Sequence, residues 1–155
     1  ERIAREARQQ AAIFATATEE RLWRGSWRRP VAGPATSAFG SRSVFNGQPR
    51  SPHSGADFRA AEGTPVTAPN VGTVVLTGDT YFSGGSVILD HGWGLYSYFA
   101  HLSKILVEKG DLVEPGQVLG YAGATGRVTG PHLHWTLRLN GARVDPLSLI
   151  EILKE

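Results

Sequence analysis

The stretch GPHLHW, Gly130 to Trp135, sets two histidines one residue apart, between a Gly-Pro turn and a run of apolar and β-branched residues. In a strand, residues i and i+2 point to the same face. His132 and His134 then project together, and Leu133 points the other way, toward a core. Two charged imidazoles on one face would repel each other, so the pair fits a metal ligand beside a catalytic group better than it fits packing. The strand reading continues through Leu133–Leu139, and the same texture recurs upstream. Val71–Thr77, Ser86–Asp90, Gly94–Phe99 and Val118–Ala122 are short apolar runs separated by Gly, Pro, Asn and Asp, and each reads as a strand. Asn46-Gly47 and Asn140-Gly141 mark tight turns. The fold expected is mainly β, a compact antiparallel sheet domain with short terminal helices.

Composition sets the bounds. The chain has 155 residues, 41% of them hydrophobic and 19% charged, which suffices for one domain with a real core. Nineteen glycines and nine prolines favour many turns. A net charge of +2 is compatible with an acidic polymer but gives no support to nucleic acid as a partner. Cysteine is absent, which excludes a disulfide framework and a cysteine-based zinc site. No apolar run is long enough to span a bilayer. Methionine is absent too, and Glu1 opens a charged segment, so the chain is expected to be a piece of a longer precursor.

From Glu1 to about Leu22 the residues are good helix formers, with Ile3, Ala7, Ala11 and Phe14 forming a narrow apolar stripe. RLWRGSWRRP, Arg21 to Pro30, is basic with two tryptophans and reads as a connector whose tryptophans pack on the domain. Residues 1–29 are therefore expected to be a helical or linker segment and residues 30–155 the domain itself. Asp145-Pro146 leads into LSLIEILKE, a short closing helix.

Chemistry is concentrated in three short motifs. PHSGAD supplies His53 and Asp57, YFAHLS supplies His101, and GPHLHW supplies His132 and His134. Four of these five positions are histidines, out of five in the chain. A catalytic zinc site takes three protein ligands and leaves a position for water. Two imidazoles and one carboxylate suit zinc, and two further imidazoles could move a proton and stabilise an oxyanion. Such a set describes a hydrolase acting on amides. Each motif alone is weak, since an H-x-H pair also decorates surface strands. His91, in LDHGWG, reads as a turn residue, and Asp111, in EKGDLVEPGQ, as a turn carboxylate.

In that order, PHSGADFRA, YSYFAHLS and GATGRVTGPHLHW resemble the zinc metallopeptidases of family M23, the lysostaphin-like or LytM-type peptidoglycan endopeptidases. EGTPVTAPNVGTVV, VILDHGWGLYSYFAHL and GDLVEPGQVLGYAGATG extend the resemblance over roughly Pro30 to Leu149. It implies a groove over a central antiparallel sheet of lipoyl-hybrid-like β architecture. It implies one zinc ion held by His53, Asp57 and His134, with His132 handling the attacking water and His101 polarising the intermediate. Groove walls are expected around Phe45-Asn46, Tyr81-Phe82-Ser83 and Thr125-Gly126, so Asn46, Tyr81, Phe82 and Thr125 are candidate substrate contacts. In some relatives an upstream asparagine fills the fourth zinc position; Asn46 stands upstream here, though a turn alone explains it. The implied substrate is the stem peptide of peptidoglycan; relatives cut either glycine bridges or direct cross-links ending at diaminopimelate, and VFNGQPRSPHSGADFRA favours the bond between D-alanine and meso-diaminopimelate. The implied setting is the periplasm or cell envelope, on an exported or membrane-anchored precursor controlled by an upstream domain or envelope partner, with a monomer expected. The alternative is a silent or autoinhibited module that binds wall or activates an amidase. A lipoyl-type carrier domain, suggested by GDLVEPGQVLG, needs a lysine at a hairpin tip, and no lysine here stands in a fitting apolar-flanked turn.

Overall fold

The computed structural model describes residues 2–32, 35–37, 44–45, 48–49, 55–125 and 131–153. Helix α1 (Arg2–Phe14) opens the chain and α2 (Pro146–Ile152) closes it. Between them run β1 (Ala35–Ser37), β2 (Val44–Phe45), β3 (Gln48–Pro49), β4 (Ala56–Arg59), β5 (Pro65–Thr67) and β6 (Gly72–Thr80). They continue with β7 (Gly84–Gly92), β8 (Leu95–Ile105), β9 (Leu112–Val113), β10 (Val118–Ala122), β11 (His132–Leu139) and β12 (Ala142–Val144). Every pairing among the described residues is antiparallel, and the main sheet runs β1-β4-β11-β8-β7-β6-β9. β10 joins β5 to β8, β12 pairs β11, and β2 pairs β3 as a separate hairpin. The five strands expected from the alternation are all present: Val118–Ala122 has the expected bounds, β8 runs on past Phe99 to Ile105, and the other three are longer or shifted by one to three residues at an end.

Alternation gives the sheet two faces. On one, Phe58, Val87, Leu89, Phe99, Leu133, Trp135 and Leu137 are fully buried and form the main core with Trp27, while α2 contributes Leu147, Leu149 and Ile150 at its edge. Asp145 caps α2 by accepting from the Leu147 amide at 3.1 Å, and Pro146 occupies the first turn, where its missing N–H is no loss. On the other face, Leu76, Ile88, Tyr96, Tyr98 and Ala100 are buried under Phe14 of α1. The Phe14 ring meets Tyr96 edge-on at 5.5 Å.

The leading helix is shorter than its composition suggests: it ends at Phe14, and residues 15–22 run without regular structure against the β7–β8 turn. Tyr96 donates its hydroxyl to the Thr16 carbonyl at 2.6 Å, and the Trp93 amide reaches the Thr18 carbonyl at 2.8 Å. Tertiary partners for the backbone thus replace helical ones. Trp27 packs in the core as the connector reading expects. Asn140 and Gly141 both adopt positive φ, 51° and 85°, and make the tight turn between β11 and β12.

His91 requires a correction. It is no turn residue but lies in β7 with no exposed surface. Its Nδ1–H donates to the Val71 carbonyl at 2.7 Å, and its Nε2 accepts from the Ser97 hydroxyl at 2.7 Å. Ser97 in turn accepts from the Trp135 indole at 3.1 Å. Both imidazole nitrogens, the Ser97 hydroxyl and the Trp135 indole N–H are all satisfied when the imidazole is neutral. Burial pushes its pKa from the usual 6.5 down to about 4.

Candidate active site

Three adjacent strands bring four of the five predicted residues together. β4 and β11 pair with His134 opposite Asp57, and β11 and β8 pair with His134 opposite Ala100. His132 and His134 share the face away from the main core, while Leu133 and Trp135 are fully buried on the other. Nδ1 of His134 lies 2.7 Å from Oδ1 of Asp57, and Nε2 of His132 lies 3.8 Å from the same oxygen. The His101 ring centroid is 5.0 Å from that of His132 and 6.4 Å from that of His134. His53 and Asn46 lie outside the described residues.

His101 reaches this group through a break in alternation. Phe99 and Leu102 both enter the main core, so Ala100 and His101 both turn to the other face. The β7–β8 register advances two residues from Gly85 to Val87 while β8 advances three, from Phe99 to Leu102. This is a β-bulge, and bulges beside active sites re-aim side chains. His101 carries a φ of 65°, a strained value for a residue with a Cβ, held in place by its amide donating to the Ser83 carbonyl at 2.7 Å. Its Nδ1–H donates to the Thr125 carbonyl at 2.7 Å, leaving Nε2 directed at the site. Burial lowers its pKa first, the other two histidines add to this, and the Thr125 bond opposes it.

Thr125 thus fixes His101 from behind, and its own hydroxyl donates to the Leu102 carbonyl at 2.8 Å while accepting from the Gly85 amide at 2.9 Å. Tyr81 and Phe82 are exposed at the β6–β7 turn with their rings crossed at 4.9 Å. The Tyr81 amide donates to the Glu6 carboxylate of α1 at 2.9 Å.

Two residues escaped the sequence reading. Thr136 places its hydroxyl 2.9 Å from Nε2 of His134, so that ring is held at both nitrogens. A hydroxyl two residues after a candidate ligand on the same strand face was the available signal. Gly55 is the other. A Cβ there would meet the Trp135 carbonyl oxygen at 2.5 Å and the Thr136 hydroxyl at 2.8 Å. Only glycine lets the approach to β4 lie this close to the strand carrying His134.

Among the described residues no group of three or more His, Cys, Asp or Glu side chains is gathered closely enough to hold a metal by itself. Asp57 and His134 nevertheless bring one carboxylate oxygen and one ring nitrogen within 2.7 Å of each other, and their hard-oxygen and imidazole donors suit a zinc site that a third ligand would complete.

The sequence profile of peptidase family M23 matches residues 51–146. The peptidoglycan DD-endopeptidase ShyA of Vibrio cholerae is 46% identical over 96 residues, which are 62% of this chain and 22% of that protein. A Pseudomonas aeruginosa crystal structure described as an M23 peptidase superposes with a TM-score of 0.83 at 45% identity, covering 96% of this chain and 60% of that one. A zinc-containing peptidase from Vibrio cholerae superposes at 0.73 with 36% identity, covering 79% of this chain and 39% of that one. The mainly antiparallel architecture is the one these structures share.

Proposed function

The chain belongs to peptidase family M23, and we propose that it is a zinc-dependent endopeptidase that hydrolyses peptide cross-links of bacterial peptidoglycan, acting between D-alanine and meso-diaminopimelate. The observation that carries this reading is the convergence of Asp57 and His134 at 2.7 Å with two further imidazoles, His132 and His101, on the same sheet face. A bare fold-level likeness would not require it. The choice of bond is supported by the naming of the Vibrio relative as a DD-endopeptidase.

His53, Asp57 and His134 would hold one zinc ion. When bound, the ion polarises the scissile carbonyl and makes water acidic enough to ionise near pH 7. Thr136 sets the ring of His134 so that Nδ1 faces Asp57. His132 accepts the proton of the attacking water and returns it to the leaving nitrogen as the C–N bond breaks. His101 presents Nε2 to the same space, because its Nδ1–H is committed to Thr125, and hydrogen-bonds the reacting oxygens. The bulge keeps that imidazole over the site. This reading carries with it a periplasmic or envelope location on a longer precursor, and control by an upstream domain or envelope partner.

The test uses peptidoglycan sacculi with metal-free and zinc-restored protein, and mass spectrometry of the released fragments. Conversion of cross-linked dimers to monomers should require zinc and disappear in His132→Ala. Absence of any cleaved cross-link from zinc-restored protein would refute the proposal and favour the silent module.

A further inference from the structure

β11 continues beyond the reactive histidines along the same face. Thr136 and Arg138 follow His134 at two-residue steps. The Asn140-Gly141 turn folds β12 back and sets Arg143 directly opposite Arg138. Like charges directly opposite each other in an antiparallel pair are destabilising. Among the described residues neither guanidinium forms a salt bridge. Nε of Arg138 is buried without a hydrogen-bond partner, and a polar atom left so is costly. Its guanidinium lies over the Phe14 ring at 4.5 Å, which holds the fork in place without neutralising it.

A cavity of about 160 Å³ opens at this point between α1 and the sheet. Both arginines, Gln10, Phe14, Tyr98 and His134 line it. It therefore joins the reactive groups to an uncompensated double positive charge.

We propose that this cavity is a carboxylate subsite, in which Arg138 and Arg143 hold a free carboxylate of the peptide that is cut at the histidines. The inference rests on the endopeptidase reading and extends it to how the substrate is recognised. Paired guanidinium forks match the two oxygens of a carboxylate. The four-residue step from His134 to Arg138 spans roughly 13 Å of strand, the length of about four residues of extended peptide. The carboxylate that fits is thus remote from the cut bond: a chain-terminal or side-chain carboxylate further along the stem. Binding energy gathered there positions the scissile amide.

The test is binding, in the full chain carrying His132→Ala so that nothing is cut. Cross-linked muropeptide dimers are titrated against the arginine Nε–H resonances, in free-acid form and with every carboxylate amidated; inorganic phosphate is titrated separately. The free-acid dimer should move the Arg138 and Arg143 signals and bind at least tenfold more tightly than the amidated one. Arg143→Gln, at a solvent-exposed position, should bring the free acid down to the amidated level. Equal binding of both dimers, a preference that survives Arg143→Gln, silent arginine signals, or phosphate moving them as far as the dimer does would each overturn the subsite. Cleavage of sacculi by zinc-restored parent protein is read separately. Cutting without an arginine response removes the subsite alone, and an arginine response without cutting removes the endopeptidase reading.

Discussion

Acidification should unfold this protein through His91, at a distance from its chemistry. The imidazole is enclosed by the Val71 carbonyl, the Ser97 hydroxyl and the edge of Trp27, whose ring centroid is 4.7 Å away. Asp90 is the charged neighbour that favours protonation, and burial outweighs it. A proton on Nε2 would also force Ser97 to accept from both His91 and Trp135 and lose its own acceptor. Because the folded pKa is near 4 against 6.5 for the free side chain, the unfolded chain binds the proton first. Stability attributable to His91 is therefore constant above about pH 6.5, falls as the pH drops toward 4, and levels off below that. The loss between pH 7 and pH 5 is about 2 kcal/mol, and at pH 4 roughly 3 kcal/mol. Urea unfolding of metal-free protein at pH 7 and pH 5 measures it, with His91→Gln as the non-titrating reference. The variant will be less stable at both pH values, but its decline on acidification should be smaller by about 2 kcal/mol. An equal decline in parent and variant, or an NMR titration of His91 near 6.5, would refute the reasoning.

Thr136→Val removes the hydroxyl that holds Nε2 of His134; zinc affinity, measured by chelator competition, should drop roughly 10- to 100-fold with the fold intact. Phe14→Ala takes away the one buried side chain of α1. Amide exchange of residues 2–14 should rise to that of a free helix, while the amides of β8 and β11 keep their protection; undiminished protection in α1 would mean that its polar contacts to Asp79 and Tyr81 suffice.

The legible parts of the fold and of the site were those encoded locally. Alternation in Leu133–Leu139 fixed which residues of β11 face the core, and Asn140-Gly141 announced its turn. The bulge that delivers His101 was not legible, because it depends on how far β7 advances beside β8 and not on any residue of YFAHLS. His91 looked like a turn residue because Asp90 and Gly92 flank it. Its place is decided by Val71 and Ser97, far away in sequence or across the hairpin. α1 stopped early for the same kind of reason, since Tyr96 and Trp93 offer the backbone of residues 16–18 better partners than another helical turn. Arg138 and Arg143 were within reach: a two-residue turn at Asn140-Gly141 already implies that they stand opposite each other.

β11 carries two messages in alternate positions. Its even-numbered residues, His132 to Arg138, carry the candidate site, and its odd-numbered ones, Leu133, Trp135 and Leu137, hold the molecule together. One residue inserted or deleted within it would exchange the two sets, sending imidazoles inward and an indole into water. Catalysis and folding would fail in the same step. Mutation can therefore adjust the letters of this strand but not its length, and change in length over evolutionary time is left to the turns at its ends.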